Sequence, residues 1–112
     1  MNTILVIDDE PAIRAAVRDI LADEKYRVLL AEDGVVGLGI LEIERADLVI
    51  LDVRLPRMGG MDVLREIRRR KPELEVLVVS GHGTIDMAVQ AVRLGAFDFI
   101  EKPLSIDRLL TA

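Results

Sequence analysis

Two short, unbroken apolar runs in this chain each end in aspartate. Ile4-Leu5-Val6-Ile7 leads into Asp8 and Asp9, and Leu48-Val49-Ile50-Leu51 leads into Asp52. Runs of this length without polar interruption suit strands buried on both faces, as in a parallel sheet with helices on either side. In an open α/β sheet, ligands bind outside the carboxyl ends of the strands, where the strand order reverses. Carboxylates at the ends of two adjacent strands repel one another unless a cation lies among them. A ligand set made only of oxygen favours a hard divalent ion, Mg²⁺ first. The pattern therefore predicts an acidic metal pocket at one edge of a parallel sheet.

The rest of the composition fits one folded unit. A chain of 112 residues has room for a single core, and residues 1–112 read as one domain. Hydrophobic residues make up 51% and charged residues 31%, which argues for a packed rather than a disordered chain. With no cysteine, disulfides, thiolate zinc sites and thiol chemistry are excluded. The amino terminus reads straight into a strand, with no signal-peptide pattern, and no apolar run nears the roughly 20 residues of a membrane span. A cytoplasmic protein is expected. The net charge of −5 argues weakly against nucleic-acid binding by these residues.

Strand-like runs recur at Ile4–Ile7, Arg27–Ala31, Leu48–Leu51, Val76–Val79 and Phe97–Ile100, with helical spacing between them. Pro11 to about Asp23 places Ile13, Val17, Ile20 and Leu21 on one stripe, and Pro11 suits the first helical position. Met61–Lys71 aligns Met61, Leu64 and Ile67 and stops at Pro72. Ile85–Leu94 follows Thr84, a suitable N-cap, and ends at Gly95, a suitable C-terminal cap. A fifth helix is expected to begin at Ser105 and to be cut within about two turns. Alternating strands and helices predict a parallel sheet covered on both faces.

The second helical segment, Gly34–Glu44, fits less well. It contains Gly37 and Gly39, each costing about 1 kcal/mol relative to Ala in a helix interior. It is also apolar almost all round. Either the helix has a wide buried face, or it presents an apolar strip to a partner.

Two further polar residues fall at the same predicted edge: Ser80 after the fourth strand, and Lys102 after the fifth, before Pro103. Asp52 is a carboxylate able to attack phosphorus, with Mg²⁺ shielding the repulsion between nucleophile and phosphoryl group. Lys102 supplies a mobile point charge for a phosphoryl oxygen, and Ser80 supplies a hydroxyl donor. Positioning and charge neutralisation are most of what phosphoryl transfer asks of a protein.

This constellation closely resembles the receiver domain of bacterial two-component response regulators. The matching stretches are Ile4-Leu5-Val6-Ile7-Asp8-Asp9-Glu10, Leu51-Asp52-Val53-Arg54-Leu55-Pro56, Val79-Ser80-Gly81-His82-Gly83-Thr84 and Phe99-Ile100-Glu101-Lys102-Pro103. The resemblance implies a flavodoxin-like, doubly wound sheet of order 2-1-3-4-5. It implies that Asp52 accepts a phosphoryl group from a sensor histidine kinase, and that Asp8, Asp9, Asp52 and the backbone carbonyl of Arg54 hold Mg²⁺. Lys102 would contact the phosphate, Lys102–Pro103 would be a cis peptide, and Ser80 and Phe99 would form the switch pair. His82 would tune dephosphorylation. Such a chain is no enzyme in the usual sense, although it promotes its own phosphorylation and dephosphorylation.

From Ser80 to Leu110, through its Ser-Gly-His-Gly-Thr and Gly-Ala-Phe-Asp-Phe-Ile-Glu-Lys-Pro runs, the chain is similar to the receivers of NtrC- and NtrX-type regulators. There, the receiver precedes an ATPase domain that activates sigma-54 RNA polymerase and a helix-turn-helix DNA-binding domain, neither of which is in these residues. That branch implies a homodimer through the fourth helix, fifth strand and fifth helix, weakened here by the shortened fifth helix. Gly59 departs from the family, which more often has an acidic or polar residue there.

Simpler readings stand beside these. An Asp-Asp pair after a strand also suits a solvated helix N-terminus. Ser80 would serve as a loop cap, Lys102 as a surface lysine, and Phe99 as core. The basic run Arg65, Arg68, Arg69, Arg70 and Lys71 suits the carboxyl end of its own helix better than nucleic acid, since no aromatics interleave it. A nucleotide-binding fold would need a glycine-rich loop where Asp8-Asp9-Glu10-Pro11 stands. A metal-dependent phosphatase would need an acid at position 54, which is Arg. A receiver-like interaction module that works without phosphorylation is the remaining alternative.

Overall fold

The computed structural model describes residues 2–81 and 84–101. Within them the chain alternates between strand and helix: β1 Thr3–Ile7, α1 Pro11–Asp23, β2 Arg27–Ala31, α2 Gly34–Ile43, β3 Leu48–Asp52, α3 Gly60–Arg70, β4 Glu75–Ser80, α4 Ile85–Arg93 and β5 Asp98–Glu101. The strands form one parallel sheet in the order β2-β1-β3-β4-β5, as expected. His82, Lys102, Pro103 and the segment from Ser105 lie outside the described residues.

Both faces of the sheet are covered, which explains the unbroken apolar runs. Successive strand side chains point to opposite faces. Leu5, Ile7, Val49, Leu51, Val76 and Val78 pack with Leu38 and Leu41 of α2 and Val63, Leu64 and Ile67 of α3. Ile4, Val6, Ile50, Leu77 and Val79 pack on the other side with Val17 and Leu21 of α1.

Helix boundaries follow local chemistry. Pro11 opens α1, and Lys25, at φ 70°, lies just past its end. The Thr84 hydroxyl accepts from the Met87 N–H at 3.1 Å to open α4, and Gly95 at φ 99° follows its end. The Asp33 carboxylate caps α2 by accepting from the Val36 N–H at 2.9 Å.

Several boundaries differ from the sequence reading by one residue. β3 and β4 extend through Asp52 and Ser80, because backbone pairing continues past the last apolar residue. β5 begins at Asp98, not Phe97: the first pair of the ladder is Leu77 with Asp98, although the Phe97 N–H already donates to the Val76 carbonyl at 2.7 Å. Phe97 is left with an exposed ring.

The glycines of α2 have separate explanations. A Cβ on Gly37 would meet the Ile7 side chain at 2.5 Å, so that glycine lets the helix settle onto β1. A Cβ on Gly39 would meet nothing within 4 Å. The helix is in part buried, through Leu38 and Leu41, and in part bare, with Ile43 83% exposed. Gly39→Ala is therefore expected to stabilise the fold by up to about 1 kcal/mol. Gly37→Ala is expected to destabilise it by roughly 1–3 kcal/mol through overpacking. Denaturant titration of the two variants measures both signs.

Asp33 also gives the fold an acid-sensitive joint. The Val36 N–H, and beyond it the Arg57 guanidinium, hold its carboxyl below the ordinary value of 3.8. A depressed folded-state pKa stabilises fully above the unfolded value, and that contribution fades as pH falls through the folded one. Asp33→Asn keeps an N-capping side chain but cannot ionise. The stability gap between wild type and Asp33→Asn should therefore be greatest well above the ordinary carboxyl value of 3.8 and shrink as pH falls below it. Denaturant titrations across that range give the gap directly.

Candidate functional site

The register of the sheet sets the geometry of the acidic edge. Ile7 of β1 pairs with Leu51 of β3, so Asp8 and Asp52 each lie one residue beyond the same rung. Both continue the rows that face α1, after Val6 and Ile50. Asp8 is buried, and Asp52 is only 3% exposed. On the other side of β3, Asp52 pairs with Val79, which puts Ser80, fully buried, one residue beyond. Ser80 in turn pairs with Glu101 of β5, the last described residue.

Around Asp8 the backbone is tightly held. Its N–H donates to the Ala31 carbonyl at 3.1 Å, and its side chain accepts from the Glu10 N–H at 2.9 Å. Its carbonyl accepts from Arg14 Nη1 at 2.7 Å. These bonds turn the chain sharply after β1, so that carboxylate oxygens of Asp8, Asp9 and Glu10 all come within 4.8 Å of one another. Asp9 and Glu10 are exposed and Asp8 is buried, which leaves the cluster open on one side. Oxygen donors of this type and charge fit a hard divalent cation. Glu10 is a member that the sequence reading did not single out, although it stands next in the Asp8-Asp9-Glu10 run.

The segment after Asp52 is pinned at its base. The Gly60 N–H donates to the Val53 carbonyl at 2.9 Å, and the Val53 N–H donates to the Val79 carbonyl at 3.1 Å. A Cβ on Gly60 would collide with the Asp52 carbonyl and the Val53 backbone, so only glycine lets α3 start this close to β3. The Arg54 N–H donates to Asp52 Oδ1 at 3.4 Å. At the apex, Arg57 reaches back to Asp33, with Nη2 at 2.9 Å from Oδ2 and 3.1 Å from Oδ1. Asp9, Glu32, Asp33, Pro56 and Arg57 line a cleft of about 440 Å³ beside the acidic cluster. No sequence pattern singles out Asp33 or Arg57, because their pairing spans two loops that only the fold brings together.

Phe99 is half-buried in β5 and packs against the core on the α2–α3 side. The basic run of α3 is drawn into local contacts. Arg65 pairs with Asp62 at 2.8 Å, Arg69 with Glu66 at 3.0 Å and Arg70 with Glu42 at 3.1 Å, while Arg68 donates to the Pro72 carbonyl at 2.9 Å. Ile85, Val89 and Val92 of α4, with Phe97, form an exposed apolar stripe next to β5. Among the described residues, no helix is long and apolar enough to cross a membrane.

Comparison with known proteins agrees with this architecture. Residues 4–112 match the family model of the response regulator receiver domain. The chain is 44% identical over 111 residues to the nitrogen assimilation regulatory protein NtrX of Azorhizobium caulinodans, covering 97% of this chain but 24% of that one. It thus spans about a quarter of that relative's length. A CheY-like receiver domain protein from Methanospirillum hungatei superposes with a TM-score of 0.95 at 31% identity, over 99% of this chain and 89% of that one. The beryllofluoride-activated NtrC4 receiver domain, solved as a dimer, gives a TM-score of 0.94 at 33% identity, over 99% and 92%. The chain belongs to the response-regulator receiver domains, the phosphorylation-based signalling modules of two-component systems.

Proposed function

We propose that Asp52 is the phosphoacceptor of this receiver and that a histidine kinase is its donor. The observation that carries this reading is a buried carboxylate at the end of a central strand, level with Asp8 and beside an open acidic cluster. A carboxylate Oδ of Asp52 attacks phosphorus. The new P–O bond forms as the P–N bond to the donor imidazole breaks, and the electron pair stays on the imidazole nitrogen, which takes up a proton. Asp8, Asp9, Asp52 and the Arg54 carbonyl would hold Mg²⁺, which when bound shields the charge repulsion of the attack. Glu10 adds charge at the open side of that cluster.

The rest of the site then reads the modification. The Ser80 hydroxyl turns to donate to a phosphoryl oxygen, and Lys102 pairs with another. Phe99 follows into the space behind Ser80. His82 tunes the return reaction. Each of these contacts exists only in the phosphorylated state, so together they bias a two-state equilibrium. The output surface is the stripe of Ile85, Val89, Val92 and Phe97, which suits a second copy of this chain. The NtrC4 receiver, a dimer in its beryllofluoride-activated form, supports that assignment. In a longer chain of the NtrX or NtrC type, this pairing would control a transcription-regulating output, sigma-54 activation in particular, in the bacterial cytoplasm.

Incubation with acetyl phosphate and Mg²⁺, followed by intact-mass measurement, should give a single phosphoryl adduct on the wild type. No adduct is expected on Asp52→Asn or without Mg²⁺. Absence of an adduct on the wild type, with a cognate kinase also failing, would replace this reading with a phosphorylation-independent interaction module. Ser80→Ala should still accept the phosphoryl group but lose the phosphorylation-dependent change in sedimentation velocity. Loss of the adduct itself in that variant would overturn the division of roles between Ser80 and Asp52.

A further inference from the structure

We propose that Arg57 is a donor-recognition residue: a cation held at the mouth of the site to draw in the phosphoryl anion. The proposal rests on Asp52 being the phosphoacceptor. It assigns to Arg57 a part in choosing and capturing the donor, not in holding the metal.

The cleft beside the acidic cluster is lined by three carboxylates, those of Asp9, Glu32 and Asp33, and by Arg57 as the one cation among the described residues. The whole chain carries a net charge of −5. A phosphoryl donor is itself an anion, so this approach opposes it unless a positive group stands there. The Arg57 side chain is 59% exposed, while its partner Asp33 is 7% exposed and tied to the Val36 N–H. Both contacts to Asp33 use Nη2 alone. The guanidinium is thus anchored by one nitrogen on a mostly exposed side chain that lines the cleft, and a guanidinium fork suits phosphate oxygens.

The backbone points the same way. Arg57 has φ 67°, and the Met58 N–H donates to the Pro56 carbonyl at 2.7 Å, which makes Arg57 the centre of a tight γ-turn. Glycine would take that conformation without strain, and an arginine takes it at a cost. Packing does not account for the arginine, because most of its side chain lies in solvent. Strained residues of this kind gather at functional sites.

Electrostatic capture and mechanical clamping make opposite forecasts for Asp33. If Arg57 merely clamps the loop after Asp52, then Asp33→Asn should slow phosphorylation as Arg57→Ala does. If Arg57 captures the donor, Asp33→Asn removes a competing negative charge and should speed it. The cap on α2 survives in that variant, since Asn also serves as an N-cap.

The test is the second-order rate of Asp52 phosphorylation, followed by intact mass at saturating Mg²⁺, with acetyl phosphate and with phosphoramidate. The second donor carries the smaller net negative charge at neutral pH and has the P–N bond of a phosphohistidine. At low ionic strength Arg57→Ala should react about three- to fivefold more slowly with acetyl phosphate. Arg57→Glu should be slower still, Arg57→Lys should keep most of the rate, and Asp33→Asn should exceed the wild type. The differences should shrink with added salt and be smaller for phosphoramidate. Mg²⁺ affinity from calorimetry should not weaken in Arg57→Ala. Arg57→Gly relieves the backbone while removing the charge, so it should match Arg57→Ala in rate even where it is the more stable fold. Equal rates across the series, a loss insensitive to salt and donor charge, or a slowed Asp33→Asn would each overturn the proposal while leaving Asp52 as acceptor. A wild type that takes no phosphoryl group from any donor would remove both readings.

Discussion

The pairing of β1 with β3 is the constraint on which the site depends. Because Ile7 and Leu51 share a rung, the residues that follow them cannot drift apart, and Asp8 and Asp52 are brought close despite their like charge. The energy that opposes their repulsion comes from burial of the strands on both faces. Leu5, Ile7, Val49 and Leu51 pack against α2 and α3, and Ile4, Val6 and Ile50 pack against α1. A parallel sheet buried in this way is rigid and holds the two strand ends in register. Under the proposed reading, a divalent cation would be held at that edge by carboxylates already in place.

Close backbone approach extends that rigidity into the loops. Gly60 lets α3 begin directly against the Asp52 and Val53 backbone, and Gly37 lets α2 settle on Ile7. The loop after Asp52 is tied at its base through Gly60 and Val53 and at its apex through Arg57 and Asp33. Asp33 therefore joins three things: the start of α2, the apex of the loop after β3, and the charge at the mouth of the acidic cleft.

The charged surface shows why local readings of sequence need tertiary partners. Four arginines near the end of α3 make a basic run, yet three of them meet carboxylates, and one of those carboxylates, Glu42, comes from α2. Exposed pairs of this kind contribute little to stability. They do change what the run offers to a partner, because the charge is balanced where it stands. The apolar surface of α2 is likewise divided by tertiary packing, between Leu38 and Leu41 inside and Ile43 outside.

The strand-and-helix order, the parallel sheet and the acidic edge were legible from the chain alone. Each depends on local patterns: doubly buried strands read as unbroken apolar runs, and the carboxylates follow directly on those runs. Strand ends were legible only to within a residue, because backbone pairing, not apolarity, carries β3 to Asp52 and β4 to Ser80. The placement of Glu10 in the carboxylate cluster needed the sharp turn after β1. The meeting of Asp33 with Arg57 needed more, since those residues are 24 apart and on different loops. Sequence determines what a residue carries and which way its own element turns it. Only the packed sheet, by bringing the ends of separated strands to one edge, decides which charges face one another.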